Sequence, residues 1–151
     1  MHSFLKSIAY TSLACFMCFS ASADEHGHEH EDTPLAEEMS AMGKPFKMLS
    51  RTFKKTPDPA KNAEYVAWAE TFLKHTKLSA QYTPALVEKL EPAEQKKMEA
   101  AYQVAIKESV KTAEQLVVAL KAEDYATAKK LLADLNSQKK KGHSKFQEDE
   151  D

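Results

Sequence analysis

Two residues far apart in the sequence carry side chains that can bind a metal ion. Met39 has a thioether sulfur and His143 has an imidazole nitrogen, and both groups are common ligands of transition metals in proteins. Neither residue is diagnostic alone, because a methionine on an apolar stripe usually fills a core and a histidine near a helix end often serves only the helix dipole. Whether the two can act together depends on the elements that carry them.

Those elements are predicted to be helices. From Thr33 onward, apolar residues recur every three or four positions, and no segment shows the alternation of a strand. Thr33-Pro34, Asp58-Pro59 and Asp124 are typical helix starts. The pattern predicts helices over about 33–55, 58–82, 92–121 and 124–146, and Pro45 predicts a kink in the first. Short links favour an all-α fold, an antiparallel up-down-up-down four-helix bundle.

In such a bundle, the start of the first helix and the end of the fourth lie at the same end. Met39 would lie roughly 9 Å into the first helix, and His143 about 5 Å before Phe146, so their depths are similar. A thioether and an imidazole that face each other across a bundle can supply both axial ligands of a haem. His75, about seven residues before the predicted end of the second helix, would lie at that end too and is a rival ligand.

Four segments of the chain carry a family resemblance. The first is similar to the opening helix of the soluble cytochrome b562 family, with Met39 at the family's methionine ligand, and the last is similar to its closing segment, with His143 at its histidine ligand. The two between them resemble the break after the second helix and the loop into the fourth. The segments are LAEEMSAMGKPFKML, QYTPAL, EDYATAKKLLADL and LNSQKKKGHSKF.

The resemblance implies an electron-transfer protein, not an enzyme, with one b-type haem. The related cytochromes c′ attach haem through a CxxCH motif, but residues 139–143 of this chain are KKKGH, so any haem must be held non-covalently. The resemblance also implies that Tyr102 and Ile106 pack against the porphyrin and that Met42 and Phe46 line its other side. All four are equally suited to an ordinary core.

The first 23 residues have the features of a secretory signal peptide. Lys6 precedes an apolar run that is too short to span a bilayer, and Ala21-Ser22-Ala23 is typical of a signal-peptidase site. We therefore expect export to the periplasm and a mature chain that begins at Asp24. Both cysteines, Cys15 and Cys18, would be removed. The alternative is a lipoprotein acylated at Cys15, although Ser12 stands where such signals usually have leucine.

Charged segments flank the predicted bundle of residues 33–147. Residues 24–32, DEHGHEHED, contain no apolar side chain and are predicted to be disordered. His26, His28 and His30 could bind zinc, copper or nickel there. The alternative function is therefore a haem-free helical bundle of the envelope that binds metal through this leader or acts as an interaction or stress module. Residues 148–151 form an acidic tail.

Composition excludes several other classes of function. Signal cleavage would remove one lysine and no acid, leaving 20 basic and 23 acidic residues, so a nucleic-acid surface is not expected. The mature chain would have no cysteine nucleophile, and no Ser/His/Asp arrangement or pair of carboxylates falls at a predicted pocket of a hydrolase. We expect a monomer without a membrane anchor, with haem and redox proteins of unknown identity as its partners.

Overall fold

The computed structural model describes residues 33–147, and this part of the chain is helical without a strand. A 3-10 helix covers Pro59–Lys61. The α-helices are α1 Pro34–Phe53, α2 Asn62–Ser79, α3 Ala85–Glu88, α4 Pro92–Lys121 and α5 Tyr125–Phe146.

Side-chain caps begin the first and last helices where the sequence predicts. The hydroxyl of Thr33 accepts a hydrogen bond from the amide of Ala36 at 3.2 Å, and the carboxylate of Asp124 accepts one from the amide of Thr127 at 3.0 Å. Each bond satisfies an amide that has no partner within its helix. Before the Asp124 cap, Glu123 has a φ of 54°, a left-handed conformation that ends α4. The predicted helix over 92–121 is confirmed.

The second predicted helix is wrong at both of its ends. Residues 58–82 were expected to form one helix, but Asp58 caps the separate 3-10 turn and α2 ends at Ser79. The one-turn helix α3 was not predicted at all, so the described residues form five α-helices instead of four. α1 continues through Pro45.

The helices pack in the order α1 on α2, α2 on α4, and α4 on α5. At one end of the molecule, the ends of α1 and α4 contact the starts of α2 and α5. Phe53 at the end of α1 makes edge contacts with Tyr65 in α2 and Tyr125 in α5, and Asn62 at the start of α2 donates to the carbonyl of Leu120 at the end of α4 at 3.0 Å. These contacts gather the end of α1, the start of α2, the end of α4 and the start of α5 in one region.

The core runs along the faces that the helical periodicity marks as apolar. Its fully buried leucines are Leu49, Leu116 and Leu120, one from α1 and two from α4. Burying each such side chain contributes about 2 kcal/mol before packing effects are counted. None of the helices among the described residues is long and apolar enough to cross a membrane.

Candidate functional site

A continuous series of contacts links four helices at the end opposite to Phe53. Phe146, the last residue of α5, packs edge-on against Tyr102 of α4 with ring centroids 5.4 Å apart. The Tyr102 hydroxyl donates to the carbonyl of Ser79 in α2 at 2.8 Å. One turn earlier in α2, His75 bonds to Glu38 of α1 at 2.6 Å. The start of α1 and the end of α5, which carry the two predicted ligands, therefore belong to the same end of the molecule.

The four residues predicted to line a haem pocket are all buried. Met42, Phe46, Tyr102 and Ile106 each expose less than a tenth of their surface. Phe46 packs against Phe72 of α2 with centroids 5.4 Å apart. These residues lie on α1 and α4 and provide apolar surface at the depth where the sequence places the site.

Met39 is more exposed than the buried residues on the apolar face of α1. Met42 is buried, whereas Met39, one turn closer to the helix start, is 38% exposed. Met39 therefore lies on the apolar face of α1 without belonging to the buried core. An exposed thioether near a helix start keeps its sulfur accessible to a ligand, and it loses less by rearranging than a packed core side chain would.

His143 lies in the last turn of α5 and is exposed, although the protein shields part of its ring. That partial burial lowers the pKa of the imidazole below its usual value; the charge of Lys139 lowers it further, and a hydrogen bond with Gln147 opposes the shift. The neutral form is therefore favoured at neutral pH, and neutral imidazole is the form that has a free nitrogen lone pair for a metal. Gly142, the residue before it, lies within the helix.

His75, the rival ligand, already has a partner. The carboxylate of Glu38 is 2.6 Å from its Nδ1, so this nitrogen carries the proton and donates it, and Nε2 is the nitrogen left for a metal. Sequence reasoning did not find Glu38, because the two residues are 37 positions apart and only the packing of α1 on α2 brings them together.

The histidines of the leader, His26, His28 and His30, lie outside the described residues. Within residues 33–147, no cluster of three or more histidine, cysteine or acidic side chains could hold a metal ion.

A known protein family matches most of this chain. The family model of cytochrome b562 matches residues 34–147, which is most of the chain and spans α1 to α5. The chain belongs to the cytochrome b562 family. No curated protein and no solved structure gives a significant match.

Membership in the cytochrome b562 family suggests a haem-binding electron-transfer protein, and b-type haem is the cofactor of this family. The chemistry of the described residues fits that group. A neutral imidazole at His143 and a partly exposed thioether at Met39 are suitable axial donors, and the four residues predicted to pack against the porphyrin are buried and mainly apolar. The part that each residue plays toward haem is a prediction.

Proposed function

We propose that this protein is an exported single-electron carrier that binds one b-type haem non-covalently, with Met39 and His143 as the axial ligands. The observation that carries the proposal is the series of contacts from Phe146 to Glu38, which assigns the start of α1 and the end of α5 to one end of the molecule. Membership in the cytochrome b562 family supports haem as the ligand.

The finer architecture that we propose is an antiparallel up-down-up-down bundle of α1, α2, α4 and α5, with α3 as a short turn in the link between α2 and α4. Two observations support it. The end of α2 contacts the first half of α4 through Ser79 and Tyr102, and the start of α2 contacts the end of α4 through Asn62 and Leu120. In this arrangement α1 and α5 are neighbours that make few direct contacts, and the haem would lie between them.

Haem would supply the change between ferric and ferrous iron, and the residues of this chain would set where and how stably that change occurs. His143 would bind through its neutral nitrogen and Met39 through sulfur, which favours the ferrous state. The side chains of Met42, Phe46, Tyr102 and Ile106 would exclude water from the porphyrin. Either Lys139 or Lys145 would pair with a haem propionate.

Two further features follow from the same proposal. Both axial positions would be filled by the protein, so we propose electron transfer without an enzymatic reaction at the iron. The signal-peptide features of residues 1–23 and the family together support a periplasmic location. We propose a monomer that exchanges electrons with other periplasmic proteins.

Haem titration of the mature chain tests this proposal. Haem is added stepwise to wild type, to the Met39→Ala, His143→Ala double variant, and to a control in which two exposed residues of α1, Met48 and Lys44, are both changed to alanine. We expect wild type and the control to bind one equivalent and to give low-spin spectra in both oxidation states.

The double variant should bind haem at least tenfold more weakly, because non-covalent binding depends on the axial bonds as well as on the packing of the pocket. Equal haem uptake by wild type and the double variant would overturn the ligand assignment. Failure of all three proteins to bind haem would favour the alternative function of a haem-free bundle.

A further inference from the structure

Glu38 and His75 form the shortest polar contact between α1 and α2 at the candidate site. Glu38 Oε2 lies 2.6 Å from His75 Nδ1, and the two side chains are only 18% and 22% exposed. A hydrogen bond between an imidazole N–H and a carboxylate is stronger than one between neutral groups. Partial burial shields it from water and salt, so it is worth more than a pair at the open surface.

The α2 side of this contact is firmly held. The hydroxyl of Ser79 donates to the carbonyl of His75 at 2.9 Å, and Ser79 is itself fully buried. Thr76, next to His75, is buried and donates to the carbonyl of Phe72 at 2.8 Å. His75 therefore projects from a well-packed last turn of α2.

The α1 side of the contact is held less firmly by its own helix. Pro45 has no N–H, so the carbonyl of Ala41 lacks its usual partner four residues later and the first two turns of α1 are joined to the rest by one hydrogen bond fewer. Met39 lies in these turns and is too exposed for packing to fix its position. Glu38, the residue before it, connects this segment to a different helix.

We propose that Glu38 and His75 are positioning residues, which together hold the first two turns of α1 against α2 so that Met39 is presented to the haem iron. This inference rests on the proposed function. It adds a role for two residues that bind neither haem nor iron, and it assigns His75 to the support of a ligand instead of to ligation.

Variants of Glu38 test the proposal. Glu38→Ala removes the contact, Glu38→Gln keeps an oxygen that can accept from Nδ1–H, and Glu37→Ala is the matched control because Glu37 is an exposed acid in the same helical turn. His75→Leu removes the contact from the other side. If Glu38→Ala does not fold, His75→Leu and Glu38→Gln keep the test available.

The first measurement uses the haem-free protein, in which amide hydrogen exchange is followed at residues 39–42. Loss of a charge-assisted bond should raise these exchange rates about tenfold in Glu38→Ala and in His75→Leu, with no further increase in the double variant. Glu38→Gln and Glu37→Ala should stay close to wild type. Unchanged exchange in both Glu38→Ala and His75→Leu would overturn the proposal.

The second measurement uses the haem-loaded protein and records the absorption spectrum and the reduction potential. Glu38→Ala should shift both toward the values of Met39→Ala, because a sulfur ligand raises the potential, and Glu38→Gln should restore them. If Met39→Ala leaves them unchanged, the proposed ligation is wrong. If Met39→Ala shifts them and Glu38→Ala matches Glu37→Ala, only the positioning role is wrong.

Discussion

The hydroxyl of Tyr102 donates a hydrogen bond to the carbonyl oxygen of Ser79 at 2.8 Å. This bond fastens the first half of α4 to the end of α2, and Gln103 adds a second one to the carbonyl of Ala80 at 3.1 Å. Both carbonyls lie at the end of α2, where the regular bonds to amides four residues later are not made, and the Ser79 carbonyl also accepts from the amide of Tyr82 at 3.3 Å. Tyr102 thereby satisfies a buried acceptor while its ring packs against Phe146.

Tyr102→Phe should destabilise the haem-free protein at neutral pH. The variant keeps the ring but removes one of the two hydrogen bonds to the Ser79 carbonyl, the other being from the amide of Tyr82, which costs about 0.5 to 1.5 kcal/mol. Chemical denaturation with circular dichroism measures the free energy of unfolding. Tyr82→Phe is a suitable control, because Tyr82 is a more exposed tyrosine in the following link. A Tyr102→Phe variant as stable as wild type would show that the bond contributes nothing.

The hydrogen bond between Tyr102 and Ser79 should also make the free energy of unfolding depend on pH in the alkaline range. Burial raises the pKa of Tyr102 from 10.0 to about 12, so the folded state retains a proton that the unfolded chain loses first. The stabilisation is complete below pH 10 and is lost as the pH rises through 12. The advantage of wild type over Tyr102→Phe should therefore shrink by roughly 1 to 1.5 kcal/mol between pH 9 and pH 11. A constant difference over this range would contradict the assignment.

Core and surface positions on α4 should respond very differently to truncation. Leu120 is fully buried, whereas Val118 is 67% exposed. Leu120→Ala should lower the free energy of unfolding by about 2 to 5 kcal/mol, since it removes apolar contacts and leaves a cavity. Val118→Ala, the matched control on the same helix, should change it by less than about 0.5 kcal/mol. Similar losses in thermal denaturation of the two variants would contradict the packing described for α4.

Much of the fold follows from local signals in the sequence. Thr33 and Asp124 are predictable caps, because their side chains accept hydrogen bonds from amides only three residues away. The end of α2 could not be predicted in this way. The carbonyls of Ser79 and Ala80, at its end, accept hydrogen bonds from Tyr102 and Gln103, each 23 residues distant, and such tertiary partners leave no local signal in the sequence.

The short helix α3 was missed for a related reason. One turn of helix has little stability of its own, and α3 depends on packing against α4 with Val87 buried. At the candidate site, sequence reasoning identified the buried residues Met42 and Phe46. It did not find the contact between Glu38 and His75, and it could not give the exposure of Met39, since periodicity gives the face of a helix and not the depth of each residue at its end.

The ligation by Met39 and His143 is the central claim, and near-infrared magnetic circular dichroism of the ferric haem-loaded protein tests it most directly. This spectrum distinguishes a methionine and histidine pair from two histidines. We expect the methionine and histidine signal in wild type, its loss in Met39→Ala and in His143→Ala, and its weakening in His75→Leu to the same extent as in Glu38→Ala. A bis-histidine signal that survives Met39→Ala and disappears in His75→Leu would contradict the account.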